Sequence, residues 1–269
     1  MIAGLATDPA LLTLAALAGV VVGFVLSLVG GGGSILAVPL LLYVVGVGTP
    51  HMAIGTAAVG VAANAATGLA AHARAGTVKW RCALVFSVAG IVGAYVGSSI
   101  GKAIDGQALI GAFGAAMVLI AVWMLLPKPH DDQPDVRLTL QSARQLLPRL
   151  IPMGFGAGGA AGFFGIGGGF LIAPGLMVST HMPMQIAVGT SLVAVLAFGA
   201  TTAANYAVSG LVVWPVAVAM FAGGIAGGIA GQRASAALAA RRNLLTQVFS
   251  ILVMAIGATI IWQAVQDVP

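Results

Sequence analysis

Ten apolar segments, separated by gaps too short to fold alone, run from residue 11 to residue 264. They are Leu11–Leu28, Ser34–Val47, His51–Ala71, Val78–Ile100, Gln107–Leu126, Leu150–Phe164, Gly168–Thr180, Met184–Val208, Val212–Ala234 and Leu244–Ala264. Most approach the roughly 20 residues that carry an α-helix across a bilayer. A chain in hydrocarbon must satisfy its backbone hydrogen bonds internally, and for segments of this length the α-helix does so. Charged residues make up only 6% of the chain, against about 25% in soluble domains. The sequence is therefore that of an all-α polytopic membrane protein, with the lipid bilayer as its main partner. The start, "MIAGLATDPALL", lacks a basic n-region and carries Asp8, so the first segment is expected to remain in the protein.

The second half repeats the first. At an offset of 134 residues Gly55, Thr56, Thr67, Gly76, Trp80, Gly90, Gly93 and Gly97 fall on Gly189, Thr190, Thr201, Gly210, Trp214, Gly224, Gly227 and Gly231. At an offset of 135, Gly33 and Pro39 fall on Gly168 and Pro174. Shared Trp, Thr and Pro in one register mark an internal duplication. It divides the chain into a first transmembrane repeat, 1–126, a cytoplasmic linker, 127–149, and a second transmembrane repeat, 150–269. The linker is the polar "PKPHDDQPDVRLTLQSARQLLPR", which holds three of the six acidic residues.

Each repeat opens with a glycine run inside apolar sequence: "SLVGGGGSILAVPLLL" from Ser27 and "GFFGIGGGFLIAPGLM" from Gly162. Leu11–Val47 is too long for one crossing, so it is a re-entrant hairpin or a pair of short helices broken at the glycines. Either returns the chain to its starting side. Three further crossings then leave the second repeat inverted relative to the first. Positive charge agrees with this: ten of the eleven Lys and Arg fall on one side, and Lys102 alone on the other. The expected arrangement is two inverted-topology repeats with both termini extracytoplasmic. The basic residues act as topology determinants, and no nucleic-acid partner is implied.

The glycine runs lack the Lys-Ser/Thr of a phosphate-binding P-loop and the strand–helix context of a dinucleotide fold. One reading is close helix contact, the commoner role of glycine in a membrane helix. The other is a helix broken inside the membrane, whose free N–H groups and positive dipole end face a cavity. Duplication of the break, with a proline five residues on, favours the second. The candidate substrate-binding residues are Gly31, Gly32, Gly33 and Ser34 in one break, and Gly167, Gly168 and Gly169 in the other. Thr56 and Asn64 on one following helix, and Thr190, Ser191 and Asn205 on its counterpart, complete the set. The runs "GIVGAYVG" and "GIAGGIAG" are read as packing surfaces between helices or across a homodimer.

No catalytic or metal-binding constellation stands out. The single Cys82 excludes an intrachain disulfide and a cysteine cluster, and no cofactor motif occurs. The chain has no Glu, and its Asp residues lie at the termini, in the linker or in the turn after Lys102, which argues against a carboxylate proton relay. His51, His72 and His181 are read as hydrated residues near segment ends, with titration near neutral pH the alternative.

The glycine break followed by a proline, the Gly-Thr of the next helix, the loops "AGTVKW" and "SGLVVW", and the repetition of the whole pattern resemble the TauE/SafE family of sulfite exporters. The resemblance spans all but the linker. It implies a non-enzymatic transporter of sulfite, an organosulfonate or a related sulfur-containing anion across the bacterial inner membrane. Alternating access, with the anion held near the midplane at half-helix N-termini, is the expected mechanism. Import of a sulfur-containing or other small anion and passive channel flow are the alternatives.

Overall fold

Helices account for nearly all of the computed structural model, which describes residues 8–29, 31–125, 140–165, 169–237 and 242–266. Helix α1 spans Pro9–Val29. A 3-10 segment, Gly31–Leu36, a single α-turn, Ala37–Pro39, and a π-turn, Leu40–Val44, follow. Then come α2 (Pro50–Arg74), α3 (Trp80–Ala103), α4 (Gly106–Leu125), α5 (Leu140–Phe164), α6 (Gly169–Thr180), α7 (Met184–Val208), α8 (Trp214–Ala237) and α9 (Arg242–Gln266). Among the described residues no strand occurs. Among the described residues seven helices, α1, α2, α3, α4, α7, α8 and α9, are long and apolar enough to cross a membrane.

Local chemistry sets the helix ends. Thr49 is extended and its Oγ1 accepts a hydrogen bond from the Met52 N–H at 3.3 Å, with Pro50 in the first helical position of α2. The same helix ends on Gly76 in the left-handed region, φ +69°, and α7 ends on Gly210 at φ +69°. The closing bonds match: Gly76 N–H to Ala73 C=O and Thr77 N–H to His72 C=O, then Gly210 N–H to Ala207 C=O and Leu211 N–H to Tyr206 C=O. Helix α5 begins at Leu140, inside the stretch read as linker, and carries Pro148 and Pro152 within it. Its first turns hold Arg144, Gln145 and Arg149, so the helix extends beyond the apolar part of its sequence.

The principal contacts are preserved when the halves are exchanged. Helix α1 packs along α8, and its counterpart α5 along α3; α2 packs on α7, and α4 on α9. Helices α2 and α7 run antiparallel. Gly55 lies against Tyr206 and Leu211, Gly68 against Leu192, and Gly189 against His72 and Thr77. The α4–α9 pair is antiparallel too, Gly111 meeting Ala264 and Gly114 meeting Gly257. Helices α3 and α5 run parallel, as do α1 and α8.

The glycine runs on α3 and α8 are spent on these parallel pairs within the chain. A Cβ at Gly93 or Gly97 would strike the α5 backbone at Phe155 or Gly159, and one at Gly227 or Gly231 the α1 backbone at Val20 or Phe24. Backbones this close gain packing that leucine-sized side chains would forbid. Leu84, Val88, Val92 and Tyr95 of α3, with Val218 and Ile229 of α8, remain exposed. An apolar outer surface of this kind is expected of helices facing lipid.

Candidate functional site

The first glycine break does not restart as a regular α-helix. Gly31, Gly32, Gly33 and Ser34 form the 3-10 segment, and Pro39, which has no N–H, precedes the π-turn closed by Val45 N–H to Leu40 C=O at 3.0 Å. A Cβ at Gly33 would fall on the backbone of Val25 and Leu26, so the segment folds back against α1 at a distance only glycine permits. Ser34 is fully buried. In the second break, Gly169 is the first residue of α6, while Gly167 and Gly168 lie outside the described residues. The segment Gly31–Leu36 packs against α6 and α7, so the two broken elements meet inside the bundle.

Thr56 and Thr190 reach the loops of the opposite half. Thr56 Oγ1 accepts the Val213 N–H at 3.0 Å, and Thr190 Oγ1 accepts the Lys79 N–H at 3.1 Å. Val213 and Lys79 immediately precede α8 and α3, so each threonine holds the start of a helix in the other repeat. Both threonines are fully buried. Ser191 donates to the Val188 carbonyl at 2.8 Å, the local bond a serine commonly makes in a helix.

The two candidate asparagines have opposite surroundings. Asn205 is saturated: its Nδ2 donates to Ser98 Oγ at 2.7 Å and Ser99 Oγ at 3.0 Å, and its Oδ1 accepts from Lys102 Nζ at 2.7 Å. Lys102 Nζ also donates to the Asn205 carbonyl and to Ser209 Oγ. Asn64 is only 2% exposed, and neither its Nδ2 nor its Oδ1 has a hydrogen-bond partner. A buried polar group left without a partner costs about 1–3 kcal/mol.

Asn64 and Gly224 line a cavity of about 220 Å³ between α1, α2 and α8, with Ser27, Thr67, Arg74 and Gln232 also on its wall. The amide lies against Gly224, where a Cβ would overlap it. Thr67 directs its own proton to the Asn64 carbonyl at 2.8 Å. At the matching place in the other half, Phe198 presses its ring on Gly90 and stacks on Phe86, centroids 6.1 Å apart. The polar cavity thus has an aromatic counterpart. Sequence reasoning singled out Asn64 but missed Ser27, Gln232 and Arg74 as its neighbours. Only the spacing of Gly224, Gly228 and Gln232 on one face of α8 pointed there.

Arg74 marks one end of the bundle, with Lys79 and Arg81 beginning α3 beside it and Arg144 and Arg149 in the first turns of the parallel helix α5. Lys102 marks the other end, with Thr49, His51 and Asp105. His51 Nε2 lies 3.1 Å from the Ile104 carbonyl, and His72 Nδ1 lies 2.9 Å from Thr77 Oγ1, so each ties a loop to a helix end. His181 occupies the left-handed region at φ 56°, three residues before the start of α7, and is exposed. A larger cavity of about 690 Å³ opens at the Lys102 end, lined by Thr49, His51, Asp105, Gln107 and Gln263 among others.

A family profile described as "Sulfite exporter TauE/SafE" matches residues 15–260. The chain belongs to the TauE/SafE family. A "Probable membrane transporter protein" of Xylella fastidiosa (strain 9a5c) is 47% identical over 91% of this chain and 93% of its own length. "Probable membrane transporter protein YunE" of Bacillus subtilis is 27% identical over 92% and 96%. "Probable membrane transporter protein MJ0441" of Methanocaldococcus jannaschii is 29% identical over 68% and 67%. No solved structure gives a significant match. As a TauE/SafE member with seven apolar helices, the protein is a multi-pass membrane transporter. Lipid and a small substrate are its partners.

Proposed function

We propose that this TauE/SafE member exports sulfite or a small organosulfonate from the bacterial cytoplasm across the inner membrane by alternating access between two inverted repeats. The observation that carries the mechanism is the antiparallel packing of the equivalent helices α2 and α7, together with contact between the two broken segments. Equivalent helices that run antiparallel are related by an axis perpendicular to them, the arrangement in which one repeat rocks against the other about a central site. The sulfur anion itself is taken from the family's name.

The anion sits where the broken segments meet, close to the backbone of Gly31–Ser34 and Gly169, with Ser191 on a flanking helix; Asn64 lies on the path to it. Thr56, Thr190 and Asn205 serve the site by positioning α8, α3 and α7. The end that carries Arg74, Lys79 and Arg81 faces the cytoplasm, which puts both chain termini outside. An inside-negative potential favours exit of a monoanion by about 2.3 kcal/mol per 100 mV, so export requires no coupled ion.

The test is flux of radiolabelled sulfite in proteoliposomes, with sulfate, thiosulfate, taurine and chloride as competitors. Saturable flux with counterflow, inhibited by a sulfur-containing anion, is the expected result. Flux that is linear in sulfite and lacks counterflow would replace the carrier with a channel, and none above empty liposomes would remove sulfite as cargo.

A further inference from the structure

The cavity beside Asn64 has no polar counterpart at the equivalent place around Phe198, and its chemistry narrows what it holds. We propose that it is a binding site for a small anion that carries a hydrogen-bond donor as well as acceptor oxygens: hydrogen sulfite, or a sulfonate with a hydroxyl or ammonium group. The proposal rests on the anion-transport reading above and deepens it.

Four observations support it. Asn64 is 2% exposed with both amide atoms unpartnered, one a donor and the other an acceptor. An anion with oxygens alone satisfies Nδ2 and leaves Oδ1 orphaned; a ligand that also donates satisfies both. Asn64 lies on the cavity wall, and because the terminal torsion of an asparagine is broad its donor and acceptor can rotate about a fixed Cγ toward a ligand there. The volume of about 220 Å³ lies below the roughly 300–1,000 Å³ of sites for drug-sized ligands. Arg74 on the wall supplies positive charge at the bundle end where Lys79 and Arg81 also lie. Finally, Phe198 replaces the amide at the equivalent position of the other half. The cavity therefore belongs to one stage of the path, the approach from the Arg74 end, and has no polar image at the exit.

The experiment is calorimetric titration of the full-length protein in nanodiscs with methanesulfonate, which only accepts, and 2-hydroxyethanesulfonate, which accepts and donates. Wild type is expected to bind the hydroxylated sulfonate about tenfold more tightly. Asn64→Leu, close in size, should erase that preference, while Arg74→Gln should weaken both ligands and leave their ratio intact. A merely structural Asn64 would not change a selectivity ratio. Should Asn64→Leu fail to fold, Gly228→Leu fills the cavity from α8: a Cβ there meets only Ser27 Oγ, at 3.5 Å. Loss of both ligands in that variant is the expected result. A tenfold preference that survives in Asn64→Leu, equal wild-type affinities, or wild-type affinities in Gly228→Leu would overturn the site. Sulfite flux in proteoliposomes separates the two ideas. Flux with unchanged selectivity in Asn64→Leu sinks the site alone, and binding without flux sinks the transport reading.

Discussion

Replacing Thr56 or Thr190 with valine removes one hydroxyl from a fully buried position while keeping the side-chain shape. The Val213 N–H now reaches Thr56 Oγ1 at 3.0 Å, and the Lys79 N–H reaches Thr190 Oγ1 at 3.1 Å. Neither amide lies within a helix ladder, since Val213 and Lys79 precede α8 and α3. Each substitution strands one N–H, at a cost of about 1–3 kcal/mol with no cavity contribution. The two bonds sit at opposite ends of the bundle, beside Lys102 in one case and Arg74 in the other, so the double variant should lose the sum to within about 0.5 kcal/mol. The assay is denaturant unfolding in detergent micelles, followed by tryptophan fluorescence; Trp80 and Trp214 begin the two affected helices. If either single variant loses less than about 0.3 kcal/mol, the threonine is not holding the helix of the other repeat. Near-equal losses in the two variants would support the two-fold relation of the halves. A strongly non-additive double variant would refute the view that the two caps are independent.

Gly33→Ala should eliminate flux per folded protein, because a methyl at that position overlaps the α1 backbone at Leu26 and pushes the 3-10 segment off α1; wild-type flux in proteoliposomes would show that the break is not part of the path. In a Cys82→Ala background, Ala75→Cys should react with an impermeant maleimide only from the cytoplasm and Val208→Cys, 90% exposed, only from outside. Reaction of both from one side would overturn the inverted topology. The neighbouring Gly76 and Gly210 are poorer choices for cysteine, since both sit at φ +69°, where an L side chain is strained.

Hydropathy and repetition made the helical class and its duplication legible. A 20-residue apolar stretch has few structural options in lipid, and Trp80 with Trp214, or Gly76 with Gly210, mark the same turn in both halves. Turn chemistry is local, so the matching hydrogen bonds that close α2 and α7 follow from matching residues. The irregular restart after Gly31 was less legible. It depends on how Pro39 and the α1 backbone share space, and a glycine run reads the same whether it turns, packs or binds. The polar extent of α5 was hidden for a related reason, because composition describes solvent preference and Arg144 and Arg149 are compatible with a helix that leaves the apolar layer.

What the sequence by itself determined is the set of elements and their kinship: apolar periodicity and residue identities are properties of each segment alone. Tertiary structure decided how the polar residues are used. Thr56 and Thr190 are twins in sequence, yet each is spent on the loop of the opposite half, a pairing that joins positions 157 and 111 residues apart. Asn205 and Asn64 are the same residue type on equivalent helices, yet Lys102 and two serines saturate one while the amide of the other has no hydrogen-bond partner. The physical reason is that a hydrogen bond between helices depends on which faces are pressed together. That is settled by the close glycine contacts of α1 with α8 and α3 with α5, and no single segment encodes it.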